Sequence, residues 1–184
     1  MEHVAEGIAI MSGRPQDRNP WKGLAAGMVA GLIGAWTMGQ FHVLVTKLPG
    51  MPVESAPVES AKEEDSTVKT AAAISEGLFH HALAEEEKKV AGAAVHYGFG
   101  AGVGGVYGAV AEILPRVTKG GGVPFGPAVW LGAHVIMVPA LGLSRPATQS
   151  PLPKEVAELA AHFVYGAVTE LIRRLIRTRV IRGR

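Results

Sequence analysis

Four histidines sit where ionisable side chains are scarce. His42, His96, His134 and His162 each fall in a stretch dominated by Gly, Ala, Val, Leu and Ile. Glu112, Glu158 and Glu170 share such surroundings. A neutral imidazole can ligate a metal or a haem iron, and it changes charge near pH 6.5. A carboxylate beside it can complete a ligand set or a proton relay. Ionisable groups inside apolar helices are costly and tend to mark functional positions. Glu158 and His162 are i,i+4 neighbours on one helix face, and Gly166 and Glu170 prolong the row with a drift of about 40° per step. Tyr107 follows His96 by 11 residues, about 20° away around a helix. Three chemistries fit these residues: binding of a His-ligated metal or haem, proton transfer, and hydrogen-bonded glue between helices. In the last, Glu112 and Glu170 pair with Arg116, Arg173 or Arg174. The Glu-x-x-His spacing of di-iron bundles is absent, because Glu158 and His162 lie one residue further apart. The candidate site is therefore His96, His134, His162, Glu158, Glu112 and Glu170, with His42 and Tyr107 in second rank.

The elements that carry these groups follow from charge. Residues 23–46, 90–111 and 120–144 contain no Asp, Glu, Lys or Arg, giving uncharged runs of 24, 22 and 25 residues. Mostly apolar runs of that length read as membrane spans. A fourth segment, Glu155 to about Ile176, is less apolar and must be shielded by neighbours. The expected fold is an all-α, polytopic bundle of four transmembrane helices. Glycine rows should pack them: Gly23, Gly27, Gly31, Ala35 and Gly39 in the first span, and Gly100, Gly104 and Gly108 in the second. Lipid gives helices no hydrophobic reason to associate, so small residues that let backbones approach take that role. Pro139 predicts a kink in span three. Val106–Leu114 is echoed by Val164–Ile172, which suggests two related hairpins.

The domains expected are a cytoplasmic arm over 1–20, a first span over 21–47, a polar outer linker and surface helix over 48–89, spans two to four over 90–178, and a basic tail over 179–184. The linker holds Pro49, Pro52 and Pro57 and twice the sequence Pro-Val-Glu-Ser. From Ser66, read as a cap, an amphipathic helix should run along the outer surface, closed by Glu85-Glu86-Glu87-Lys88-Lys89. Cations flank span one at Arg14, Arg18 and Lys22, lie between spans two and three at Arg116 and Lys119, and crowd the tail. The positive-inside rule then puts both termini in the cytoplasm.

Composition excludes much else. With no cysteine, there are no disulfides, thiolate nucleophiles or thiolate-held clusters. A net charge of +2 does not suggest nucleic acid. Gly98-x-Gly100-x-x-Val103 does not complete a dinucleotide fingerprint, Gly120-Gly121-Gly122 lacks the lysine of a phosphate loop, and no Gly-x-Ser-x-Gly is present. The partners expected are the bilayer and a second copy or another membrane protein. A non-catalytic scaffold, binding partner helices through its glycine rows, is the rival to a His/Glu site.

The run His96…Tyr107…Ala111-Glu112-Ile113-Leu114-Pro115, then His134…Pro139-Ala140-Leu141-Gly142-Leu143, then Glu158…His162…Glu170-Leu171-Ile172-Arg173-Arg174 resembles the YagU-like family of uncharacterised bacterial inner-membrane proteins. The likeness covers about residues 91–178. Span one matches only as a glycine-rich first helix, His42 has no counterpart, and the loop 48–89 departs from the pattern. The resemblance implies a helical protein of the bacterial inner membrane and points to His96, His134, His162, Glu112 and Glu170. It implies no activity.

Overall fold

The computed structural model describes residues 18–47 and 65–182. Most of the expected arm, most of the Pro-Glu linker and the end of the basic tail lie outside the described residues. Helix α1 spans Pro20–Thr46. Asn19 caps it, its Oδ1 accepting from the N–H groups of Trp21 at 3.0 Å and Lys22 at 3.1 Å. Pro20 follows where its missing donor costs nothing.

Helix α2 spans Ser66–Phe79. Its cap is Asp65 rather than Ser66, with Asp65 Oδ1 accepting from Thr67 N at 2.8 Å. It stops at His80, which adopts a left-handed φ of 53°. The acidic run expected to close this helix instead opens α3, Glu85–Ile113. The reason is electrostatic: Glu85, Glu86 and Glu87 stabilise the positive end of a helix and would destabilise the negative end. Glu87 also reaches back, its Oε2 accepting from Ala84 N at 2.8 Å and lying 3.1 Å from His81 Nε2. The Ala84 N–H first, and then His81, hold the Glu87 carboxyl below its usual range.

A short 3-10 turn, Pro115–Thr118, leads into three glycines with left-handed φ of 81°, 64° and 84°. Residues with a Cβ rarely adopt that conformation even singly. Helix α4 covers Phe125–Ala140. Its centre, Trp130–Met137, widens into π turns, and the Val138 N–H bonds to Ala133 five residues back. Pro139 cannot donate to Val135, and the wider turn rearranges the ladder ahead of it. The expected kink is thus a π segment, and His134 lies within it. Helix α5 spans Leu152–Arg182. Among the described residues there is no strand.

Helices α1 and α3 are antiparallel, and their glycines interlock. A Cβ on Gly27 would strike the carbonyl oxygen of Gly104, one on Gly31 that of Gly100, and one on Gly108 that of Gly23. The row ends at Ala35, which faces Gly100; Gly39 meets nothing within 4 Å. A second seam joins α4 to α5, where Gly122 and Gly126 press on Gly166 and on the His162 carbonyl. Gly108 and Gly166 hold matching places in the sequence echo, and each meets a pair of glycines four residues apart. Helix α5 also packs on α1, with Gly34 against Thr169 and Tyr165, and α2 rests on α3 through Val68 and Gly92.

The interior is small and polar, while the exterior is large and apolar. Ala26, Ala30, Ala35 and Ala161 are buried, and the largest fully buried side chains are Glu170 and Thr169. Trp36, Leu44, Val106, Leu131, Ile136 and Leu171 are exposed. That reverses the usual distribution in water. By length and composition, α1 alone among the described helices is long and apolar enough to cross a membrane. Helix α4 is apolar but shorter. Helix α3 owes its low hydropathy to glycine and alanine, and α5 carries glutamates and arginines along its length.

Candidate functional site

The α1–α3 register sets the site. Continuing the glycine pairing by one turn brings His96 onto α1, where its Nε2 lies 3.2 Å from the Ala35 carbonyl oxygen. Beyond that point the two helices no longer touch along the row, and a cavity of about 490 Å³ opens. Four elements send ionisable groups to its wall: His42 from α1, His96 from α3, His134 from α4, and Glu155, Glu158 and His162 from α5.

Each contact inside has a clear polarity. His162 Nδ1 lies 2.8 Å from the Glu158 carbonyl oxygen. A carbonyl only accepts, so Nδ1 carries the proton and Nε2 is left as the acceptor of the neutral ring. By the same reasoning His96 donates through Nε2 and keeps Nδ1 as its acceptor. The Glu158 carboxylate turns away from His162 and crosses to α1, with Oε2 3.6 Å from His42 Nε2. Glu155 Oε2 lies 3.3 Å from His134 Nε2, is buried, and makes no hydrogen bond of good geometry. The His134 and His162 rings are 6.3 Å apart, and His134 stacks on Trp130 at 6.4 Å. The result is two imidazole–carboxylate pairs with His162 beside one of them. Among the described residues, no group of three or more His, Asp or Glu is arranged to hold a metal ion.

Glu112, Glu170 and Tyr107 are elsewhere. Glu170 is eight residues after His162, roughly 12 Å along α5. It accepts from Arg173 Nε at 2.7 Å and Nη2 at 3.0 Å, and also from Arg174 Nε. Glu112 takes a two-pronged bond from Arg177, whose Nε and Nη2 each donate at 2.8 Å. Asn19 N, at the start of α1, donates to Glu112 Oε2 at 3.2 Å. Tyr107 stacks on Phe125 with ring centres 4.0 Å apart, and its hydroxyl faces Glu170 rather than His96. The single site expected from the sequence is therefore two: a histidine–glutamate cavity at one end, and a carboxylate–guanidinium network at the other.

Two participants escaped the sequence reading. Glu155 is three residues before Glu158 and seven before His162, on the same face of α5, so helical spacing held the signal. Arg177 is four residues after Arg173 and seven after Glu170, yet as one cation of a basic tail it read as a surface charge.

An all-helical bundle with a polar interior and an apolar exterior is the class of protein that the fold and both clusters define. Residues 71–171 match the family described as "Protein of unknown function (DUF1440)", and the chain belongs to that family. The match begins 20 residues before the resemblance read from the residues and so takes in most of α2. It includes His96, Glu112, His134, Glu155, Glu158, His162 and Glu170, and excludes α1 with His42. The protein named Inner membrane protein YagU, from Escherichia coli (strain K12), is 34% identical over 74 residues, 40% of this chain and 36% of that relative. The chain thus matches about a third of that relative's length. No solved structure matches.

Proposed function

We propose that this is a polytopic protein of the bacterial inner membrane whose histidine–glutamate cavity takes up and relays protons. In this reading α1, α3, α4 and α5 cross the bilayer, α2 lies on the outer surface, and both termini are cytoplasmic. The inverted distribution of side chains supports lipid as the surrounding solvent, and the relative's name points to the same membrane. Arg18, Lys22, Arg116, Lys119 and the arginines of α5 gather at the end of the bundle where α1 begins, which supports that end as cytoplasmic.

One observation carries the proton reading. Two carboxylates face two imidazoles, His42 with Glu158 and His134 with Glu155, around one cavity, with His162 next in line. Imidazole changes charge near physiological pH, and a carboxylate beside it gives a proton a second place to stand. The arrangement gives little support to a metal or haem, because each histidine meets a single carboxylate rather than a ligand set. The scaffold reading loses its surface: Gly27, Gly31, Gly100, Gly104 and Gly108 face one another within the chain.

The test is proton flux into vesicles reconstituted with the full chain at mildly acidic pH. His134→Ala and Glu158→Gln should each reduce flux severalfold while the protein still inserts. Wild-type flux in both variants would reject the relay. A stoichiometric metal or a Soret band in the purified protein would replace it with a ligand site.

A further inference from the structure

We propose that the opposite end of the bundle, where α1 begins, binds a phosphate-bearing anion in a preformed arginine pocket. A cavity of about 410 Å³ opens there between α1, α3 and α5, lined by Arg18, Arg173, Arg174, Arg177, Glu112 and Thr118 among others. Its charges do not balance. Guanidinium is cationic at any physiological pH, so four arginines meet only Glu112 and Glu170. The remaining carboxylates of the described residues belong to α2 with its cap, to the start of α3 and to the start of α5. Backbone dipoles do not correct the surplus, because α1 starts and α3 finishes at this end and their opposite partial charges offset.

The two glutamates organise the arginines more than they neutralise them. Glu112 holds Arg177 by a double bond of donors and has Arg173 Nη1 at 3.7 Å. Glu170 holds Arg173 and Arg174. Arg173 and Arg177 are buried, and so are fixed in place. Arg174 is tied on one side only, with Nη2 donating to the Thr118 carbonyl at 2.8 Å, and 51% of its side chain stays accessible. Arg18 stands exposed at the rim. Planar, pre-oriented donor forks around a net positive cavity suit the oxygens of phosphate. Either inorganic phosphate or an anionic phospholipid headgroup supplies that chemistry. In the orientation proposed above, the pocket lies at headgroup depth on the cytoplasmic side, where basic pockets between helices take anionic lipids.

The experiment titrates the full chain, in neutral detergent, with inorganic phosphate, with short-chain phosphatidylglycerol, and with phosphatidylcholine of the same acyl length as control. Phosphatidylglycerol should bind more tightly than the control, and more weakly as salt is raised. Arg174→Gln should weaken binding about tenfold, the effect of one charge-assisted hydrogen bond. Arg18→Gln lies outside the ion-pair network, so it tests the pocket even if the Arg174 variant fails to fold, and should weaken binding severalfold. Phosphate binding with the same dependence on the two arginines makes the free ion sufficient; binding of phosphatidylglycerol alone makes the headgroup the ligand. Binding of neither above the control, or affinities unchanged in both variants, overturns the proposal.

Discussion

Gly102 and Gly104 lie two residues apart on α3, and the same substitution should act on them with opposite sign. An alanine Cβ at Gly104 would meet the Gly27 carbonyl oxygen at 2.6 Å, Gly31 Cα at 2.7 Å and Gly31 N at 3.1 Å. All three are backbone atoms, so no side chain can swing away. Ordinary van der Waals contact would require α1 and α3 to separate by roughly 1 Å along the seam, and overpacking of this kind costs about 1–3 kcal/mol. The better helix propensity of alanine returns about 1 kcal/mol at most. Gly104→Ala should therefore destabilise by about 1–2 kcal/mol. At Gly102 a Cβ meets nothing within 4 Å, so only the propensity gain remains and Gly102→Ala should be neutral or stabilise by up to about 1 kcal/mol. The assay is reversible unfolding in mixed micelles, followed by loss of helical circular dichroism. The reasoning fails if the Gly104 variant is as stable as the Gly102 variant.

Other outcomes follow from the same contacts. Arg177→Ala leaves Glu112 buried without its two-pronged partner and should cost about 3–5 kcal/mol, whereas Arg177→Ala combined with Glu112→Leu should recover most of the loss, as the same unfolding assay would show. Glu87 has a lowered carboxyl pKa, so its support for the start of α3 is fully present above the unfolded value of about 4.3. That support should fade as pH falls through the lower folded value; amide exchange at residues 84–88 should rise on acidification, and Glu87→Gln should remove the pH dependence. Glu155→Gln should reduce vesicle proton flux as His134→Ala does, and the two changes together should do little more than either alone, since they disable one pair.

Much of this architecture was legible because a small residue every fourth position says the same thing in any context. The rows at Gly23, Gly27 and Gly31 and at Gly100, Gly104 and Gly108 marked the faces that meet. Spacing could not say where contact would end, and Gly39 belongs to the row yet touches nothing, because Ala35 and His96 close the seam first. The histidines were visible as intruders in apolar runs, and three of the four lead the candidate set from sequence. Joining them to Glu112 and Glu170 was the error. Helical periodicity assigns a residue to a face but not to a height against its neighbours, and the roughly 12 Å between His162 and Glu170 separates two environments. The acidic run at 85–87 was placed on the wrong helix because charge favours an N-terminus as readily as it terminates an apolar face. The π turns around His134 left no sequence signal beyond Pro139, whose effect on the backbone depends on how the freed carbonyl is satisfied.

The account stands or falls on the two clusters lying on opposite sides of a bilayer. The chain contains no cysteine, so single reporters can be placed without background. Ser144→Cys lies on the wall of the histidine–glutamate cavity and Thr178→Cys on that of the arginine pocket. Labelling with a membrane-impermeant maleimide in spheroplasts should modify the first and spare the second until the membrane is opened. Equal labelling of both in sealed spheroplasts, or recovery of the protein in the soluble fraction, would contradict the central claim.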